Sequence, residues 1–229
     1  MDRMKITSAN TVAELSPAPS GWRADAARAM FAGNAILFLA LVMMLPLAMI
    51  LDVPVSTWVM ENPLAVEVKA VLAYIRWPGN FFFALSLAAL IVIGNRDRWG
   101  WAGLMLLSGG LASGLTGILK WGFGRTRPFR GYPPFDWHPF PGDPRDAFHV
   151  PNLSFPSGDT TLAFATAAII AIAFPKWRWV AYGWAFAVGI ARVLQGAHYP
   201  SDVAGGIVVG VGMAHLLYWI CARCRKSAR

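Results

Sequence analysis

Three short blocks of this chain combine residue types and spacings that suit phosphoryl chemistry. In the first, Lys120-Trp-Gly-Phe-Gly-Arg125-Thr-Arg127-Pro128, two cations stand seven residues apart. An unbroken helix would carry Lys120 and Arg127 two turns apart on one face. Gly122 and Gly124 predict a bend that turns both charges toward a common point. The second block is Phe155-Pro156-Ser157-Gly158-Asp159-Thr160-Thr161, opening an apolar run. Ser157 fits an ordinary helix N-cap, but a helix N-terminus with a glycine is also a cradle for an anion. In the third, Arg192, His198 and Asp202 are spaced R-x5-H-x3-D. Arg192 interrupts an apolar segment, where a cation needs a partner or a task. A carboxylate four residues beyond His198 can fix its tautomer and raise its basicity. Taken singly, each block also reads as snorkelling basic residues, a cap and a structural histidine. Together, three cations, a helix N-terminus and a His–Asp pair would hold a phosphoryl group's oxygens while an imidazole attacks in line.

These blocks must be positioned by a bundle of apolar helices. The chain is 229 residues long, 56% hydrophobic and only 14% charged, with mean hydropathy +0.48. A soluble domain carries about 25% charged residues, so the deficit points to lipid as the solvent. Apolar stretches near 30–51, 78–94, 101–119, 160–174, 179–197 and 203–220 predict an all-α, polytopic membrane protein with six transmembrane helices. Leu64, Val68, Val71, Leu72 and Ile75 recur at helical spacing between the first two spans, predicting a short surface helix. The expected organisation is a cytoplasmic tail over 1–29, the membrane domain over 30–220 and a basic tail over 221–229. The first apolar stretch reads as a retained anchor and not a removed signal.

Charge sets the expected orientation. Twelve of the twenty Lys and Arg fall in short segments on one side: the N-terminal tail, Arg96 and Arg98, Lys176 and Arg178, and the C-terminal tail. By the positive-inside rule both termini are cytoplasmic. The three blocks then all reach the external face, although they are far apart in sequence. The flanking charges also account for the net charge of +8, so nucleic acid is not an expected partner. Cys221 and Cys224 form a lone C-x-x-C and are read as plain terminal thiols. His138 and His149 are read as loop residues.

At these residues the chain resembles the type-2 phosphatidic acid phosphatase superfamily, whose pattern is K-x6-RP, then PSGH, then SR-x5-H-x3-D. The matching residues are Lys120, Arg127 and Pro128, then Pro156, Ser157 and Gly158, then Arg192, His198 and Asp202. The likeness extends over roughly residues 100–220. The resemblance implies that His198 is the nucleophile, forming a phosphohistidine, with Asp202 orienting it. It implies that Lys120, Arg127, Ser157, Gly158 and Arg192 bind phosphate, and that no metal or other cofactor is needed. Two positions depart from the pattern. Ala191 stands in place of a serine. Asp159 stands in place of the histidine that protonates the leaving group, and so takes that catalytic position here.

The expected function is therefore a metal-independent membrane lipid phosphatase. Its partner would be a phospholipid or isoprenoid-lipid substrate such as polyprenyl diphosphate, lipid A or phosphatidic acid. The expected location is a bacterial inner membrane, with the site facing the periplasm or exterior. Two other readings stay open at this level. Asp159 could mark a silent relative that binds phospholipid headgroups, or the phosphoryl group could pass from His198 to another lipid.

Overall fold

In the computed structural model, the described residues are 20–130, 134–141 and 152–227. Residues 1–19, His149 and the last two residues of the C-terminal tail lie outside them. Seven helices follow in order: α1 (Ser20–Glu61), α2 (Val66–Ile75), α3 (Phe81–Gly94), α4 (Trp99–Phe123), α5 (Gly158–Ala173), α6 (Arg178–Leu194) and α7 (Pro200–Ser227). Among the described residues the β-pairing is two isolated bridges, Arg125 with Trp137 and Thr126 with Leu153. The chain divides into a unit of residues 1–36, helical from Ser20 on, and a unit of residues 37–229. The end of α1 and helices α2 to α7 lie in the second.

Helix α5 is the centre. Ten consecutive residues, Thr160–Ile169, are buried on every side, and α4, α6 and α7 pack around them. A helix apolar all round belongs in a core. The contact with α7 is close because small residues face it: a Cβ at Gly206 would meet the Ser157 carbonyl at 2.8 Å.

The outer surface inverts the usual arrangement. Leu90, Ile93, Leu107, Ile118, Ile190 and Leu216 are all exposed, which a water-facing surface does not tolerate over such an area. Among the described residues, three helical segments are long and apolar enough to cross a membrane: Val42–Glu61, Arg96–Phe123 and Pro200–Cys224; Phe81–Gly94 and Gly158–Ala173 are apolar but shorter. The surface helix expected between the first two spans is α2.

The first apolar stretch, expected to end at residue 51, lies on a helix that runs on to Glu61. Asp52 breaks the run in sequence, yet the helix continues through it. The physical reason is that Asp52 is fully buried and ion-paired.

Candidate active site

Lys120 sits in the last turn of α4, where its Nζ donates to the carbonyls of Leu153 (3.0 Å) and Ser154 (2.9 Å). Gly124 then ends the helix in the left-handed region, at φ 62°. A Cβ there would also collide with the His138 carbonyl, so only glycine fits. The chain runs on through Arg125 and Thr126 to Arg127, whose Nε donates to the same Leu153 carbonyl at 3.2 Å. Lys120 and Arg127 thus meet on one acceptor, through a bend made at Gly124.

Local rules explain the R-x5-H-x3-D spacing. Arg192 lies in the last turn of α6, which closes with Gly196 N–H donating to Val193 O (2.8 Å) and Ala197 N–H to Arg192 O (3.1 Å). Those two bonds are a Schellman cap, with Gly196 at φ 66°. His198 follows at once. Pro200 then opens α7, and Asp202 in its first turn accepts the Tyr199 N–H at 2.8 Å, as an acidic residue at that helix position does. A helix end, a cap and a helix start place all three side chains together.

His198 Nδ1 lies 3.3 Å from Asp202 Oδ2, and both residues are buried. Ser157, at the N-cap of α5, donates its N–H to Asp202 O at 2.9 Å. Its hydroxyl makes no capping bond and accepts from Thr160 Oγ1 instead. The first turn of α5, including Gly158, therefore opens beside His198. Burial pushes the His198 imidazole well below its ordinary value, and the charges of Lys120, Arg127 and Arg192 push it further in the same direction. Burial and the neighbouring Arg192 also lower Arg127, to about 10, which still leaves it cationic at neutral pH. The pocket is neutral at the imidazole and positive around it.

Asp159 pairs with two guanidinium groups. Its Oδ2 lies 3.2 Å from Arg192 Nε and 3.7 Å from Arg76 Nη1. The Arg192 contact is a meeting of charges and not an aligned hydrogen bond; Arg192 Nη1 donates to Gln195 Oε1 at 2.9 Å. Arg76 caps α2 and leads into a 3₁₀ turn, Trp77–Gly79, that lies hard against Asp159. A Cβ at Gly79 would stand 2.7 Å from Asp159 Cβ.

Beneath His198 is a buried network that motif spacing did not announce. Arg125 is fully buried; it reaches Asp202 Oδ1 at 2.7 Å, Asp52 Oδ2 at 2.6 Å and Ser201 Oγ at 2.6 Å. Asp52 Oδ1 accepts the Ser201 N–H at 2.9 Å. The guanidinium also lies over the rings of Tyr199 (4.1 Å) and Trp137 (4.9 Å). One signal did exist for Asp52: an acid inside an apolar span needs a buried partner. Arg76 carried no such signal.

Of the aromatic residues near the site, Phe123, Trp137 and Phe155 pack on one another at 5.0–5.6 Å. Phe129, Phe135 and Phe140 are exposed. His138 is exposed and pairs with Asp136 at 3.0 Å. An apolar cleft of about 350 Å³ runs between α3, α5 and α6, from Pro78 beside the Asp159 turn to Phe174 and Trp177. Among the described residues, no group of three or more His, Cys, Asp or Glu could hold a metal ion.

Known proteins resemble this arrangement. Lipid A 1-phosphatase of Rhizobium etli is 39% identical over 127 residues, which are 54% of this chain and 52% of that protein. Undecaprenyl-diphosphatase BcrC of Bacillus subtilis is 33% identical over 70 residues, covering 31% of this chain and 36% of its own. The chain spans about half the length of the lipid A 1-phosphatase it matches. The crystal structure of the transmembrane PAP2-type phosphatidylglycerolphosphate phosphatase from Bacillus subtilis has the same fold. It superposes with a TM-score of 0.60 at 24% identity, over 84% of this chain and 96% of that one. The PAP2 superfamily model matches residues 101–226, more than half of the chain and the whole of the three blocks; the protein belongs to the PAP2 superfamily.

Proposed function

We propose that this protein is a membrane lipid phosphatase that cleaves a lipid phosphate or diphosphate through a phosphohistidine at His198. The observation that carries the reading is the neutral, buried imidazole, held on Asp202 and faced by Lys120, Arg127 and Arg192. With Nδ1 turned to Asp202, Nε2 is the nitrogen that attacks phosphorus. The N–P bond forms as the bond to the leaving oxygen breaks. Lys120, Arg127, Arg192, the Ser157 hydroxyl and the Gly158 N–H in the first turn of α5 take the developing charge on the phosphoryl oxygens. Water then attacks the phosphohistidine, releasing inorganic phosphate and restoring the imidazole. Nothing in this sequence of steps calls on a metal.

A lipid substrate is supported by the exposed apolar surface and by the relatives, which are named for lipid A and undecaprenyl diphosphate. The cleft between α3, α5 and α6 is shaped for a hydrocarbon chain, with its Pro78 end beside the turn that packs on Asp159. In this reading six helices, α1 and α3 to α7, span a bacterial inner membrane. Both termini are cytoplasmic, and the site faces the periplasm or exterior. The test is phosphate release by the purified protein from lipid A, phosphatidic acid, phosphatidylglycerol phosphate and polyprenyl diphosphate. The reading expects turnover of at least one that His198→Ala abolishes. Absence of release from all four contradicts it.

A further inference from the structure

We infer that Arg76, at the end of α2, forms a second anion subsite that holds a phosphate-bearing leaving group, which suits the site to lipid diphosphates. The inference deepens the phosphatase reading and rests on it. Three observations converge on Arg76. Its guanidinium lies 3.7 Å from Asp159, which in turn pairs with Arg192, so it belongs to the cation cluster of the pocket. It is 46% exposed and Asp159 is 34% exposed, whereas Arg192 is only 9% exposed. The cluster therefore grades from a buried cation at the phosphoryl pocket to an open cation at its mouth. Finally, Gly79 allows the turn carrying Arg76 to lie against the Asp159 backbone; a Cβ there would push it away.

The position gives the chemistry. An in-line attack by His198 expels the leaving group on the opposite side of the phosphorus, and the family resemblance assigns position 159 to that group. Asp159 is held in ion pairs with two guanidinium groups. It is thus poorly placed to hand a proton to a departing alkoxide. A diphosphate does not need that proton. The N–P bond forms at the terminal phosphorus and the bridging P–O bond breaks. Its electron pair stays on the bridging oxygen, now a terminal oxygen of the lipid monophosphate. That product's second pKa is about 6, so it departs as a stable anion. Arg76 offers this anion forked, charge-assisted donors that Asp159 does not use up. Charge also fits. Arg192 and Arg76 share one carboxylate, Asp159, while Arg125 is already satisfied by Asp52 and Asp202.

The test compares farnesyl diphosphate with farnesyl phosphate, which share one chain and differ by one phosphate. In Arg76→Ala the diphosphate-to-monophosphate ratio of kcat/KM should fall about 10- to 100-fold, the range of one charged hydrogen-bonding partner. Arg76→Lys should restore part of it. Lys69→Ala, which removes an exposed cation from the same helix, should leave the ratio as it was. If farnesyl diphosphate alone is turned over, the same losses are read on that substrate. An equal fall on both substrates, or no fall on the diphosphate, overturns the inference. Turnover of the monophosphate only by the unaltered protein overturns the inference while the phosphatase reading stands. Turnover of neither removes both.

Discussion

Arg125 and His198 grip opposite oxygens of one carboxylate: Arg125 Nη1 is 2.7 Å from Asp202 Oδ1 and His198 Nδ1 is 3.3 Å from Asp202 Oδ2. Asp202 is thereby fixed from both sides, and Arg125 is fixed in turn by Asp52 on α1. A helix outside the family-matched segment thus helps set the orientation of the imidazole.

Breaking this network should be costly. Arg125→Ala leaves Asp52 and Asp202 buried without their cation, a loss of about 3–5 kcal/mol. The thermal midpoint in detergent should drop by many degrees and turnover should fall with it. Asp52→Asn keeps the shape, the bond from the Ser201 N–H and the Arg125–Asp202 pair, so it should cost less in both. An Arg125→Ala protein as stable and as active as the original would show that the network does not hold the site.

The depressed imidazole has a defined pH signature. Because the folded-state value of His198 lies well below the ordinary 6.5, the neutral nucleophile persists into acid. The acid limb of kcat/KM, which reports the free enzyme, should therefore fall well below pH 6.5. The same shift makes His198 a source of acid sensitivity. The unfolded chain gains a proton near 6.5 and the folded one does not, so stability declines as pH falls below 6.5. A pH–rate profile with its acid limb at or above 6.5 would contradict this environment for His198.

Asp159 is expected to separate substrates by the leaving group they carry. Replacing it with histidine restores a group that titrates near neutrality. Asp159→His should raise turnover of a lipid monoester such as phosphatidic acid much more than that of a diphosphate. Equal gains on both would show that Asp159 weakens the site without shaping its specificity.

Orientation is open to a labelling test. Phe135 and Asp97 are both exposed, at opposite ends of α4. In intact cells, a cysteine at position 135 should react with a membrane-impermeant thiol reagent and one at 97 should not. The reverse pattern inverts the topology.

What could be read in the sequence was what is encoded locally. The R-x5-H-x3-D block is a helix end, a Schellman cap and a helix start, all written in consecutive residues. The meeting of Lys120 with Arg127 follows from glycine at position 124. Arg125 was visible between them, but its partners stand 73 and 77 positions away, and no local rule joins such residues. Asp52 shortened the first span in sequence because its charge was counted without its partner. Arg76 stands out only in the fold, where Gly79 brings its turn against Asp159.

The central claim is that His198 carries the phosphoryl group. Brief mixing of the purified protein with a ³²P-labelled lipid phosphate or diphosphate, followed by rapid denaturation, should trap label on the chain. A phosphohistidine resists alkali and is lost in acid, and peptide mapping should place it on the segment containing His198. The account predicts that label in the original protein and none in His198→Ala, with EDTA leaving its formation intact. Turnover without any trapped alkali-stable label, or strong EDTA inhibition reversed by a divalent metal, would contradict it.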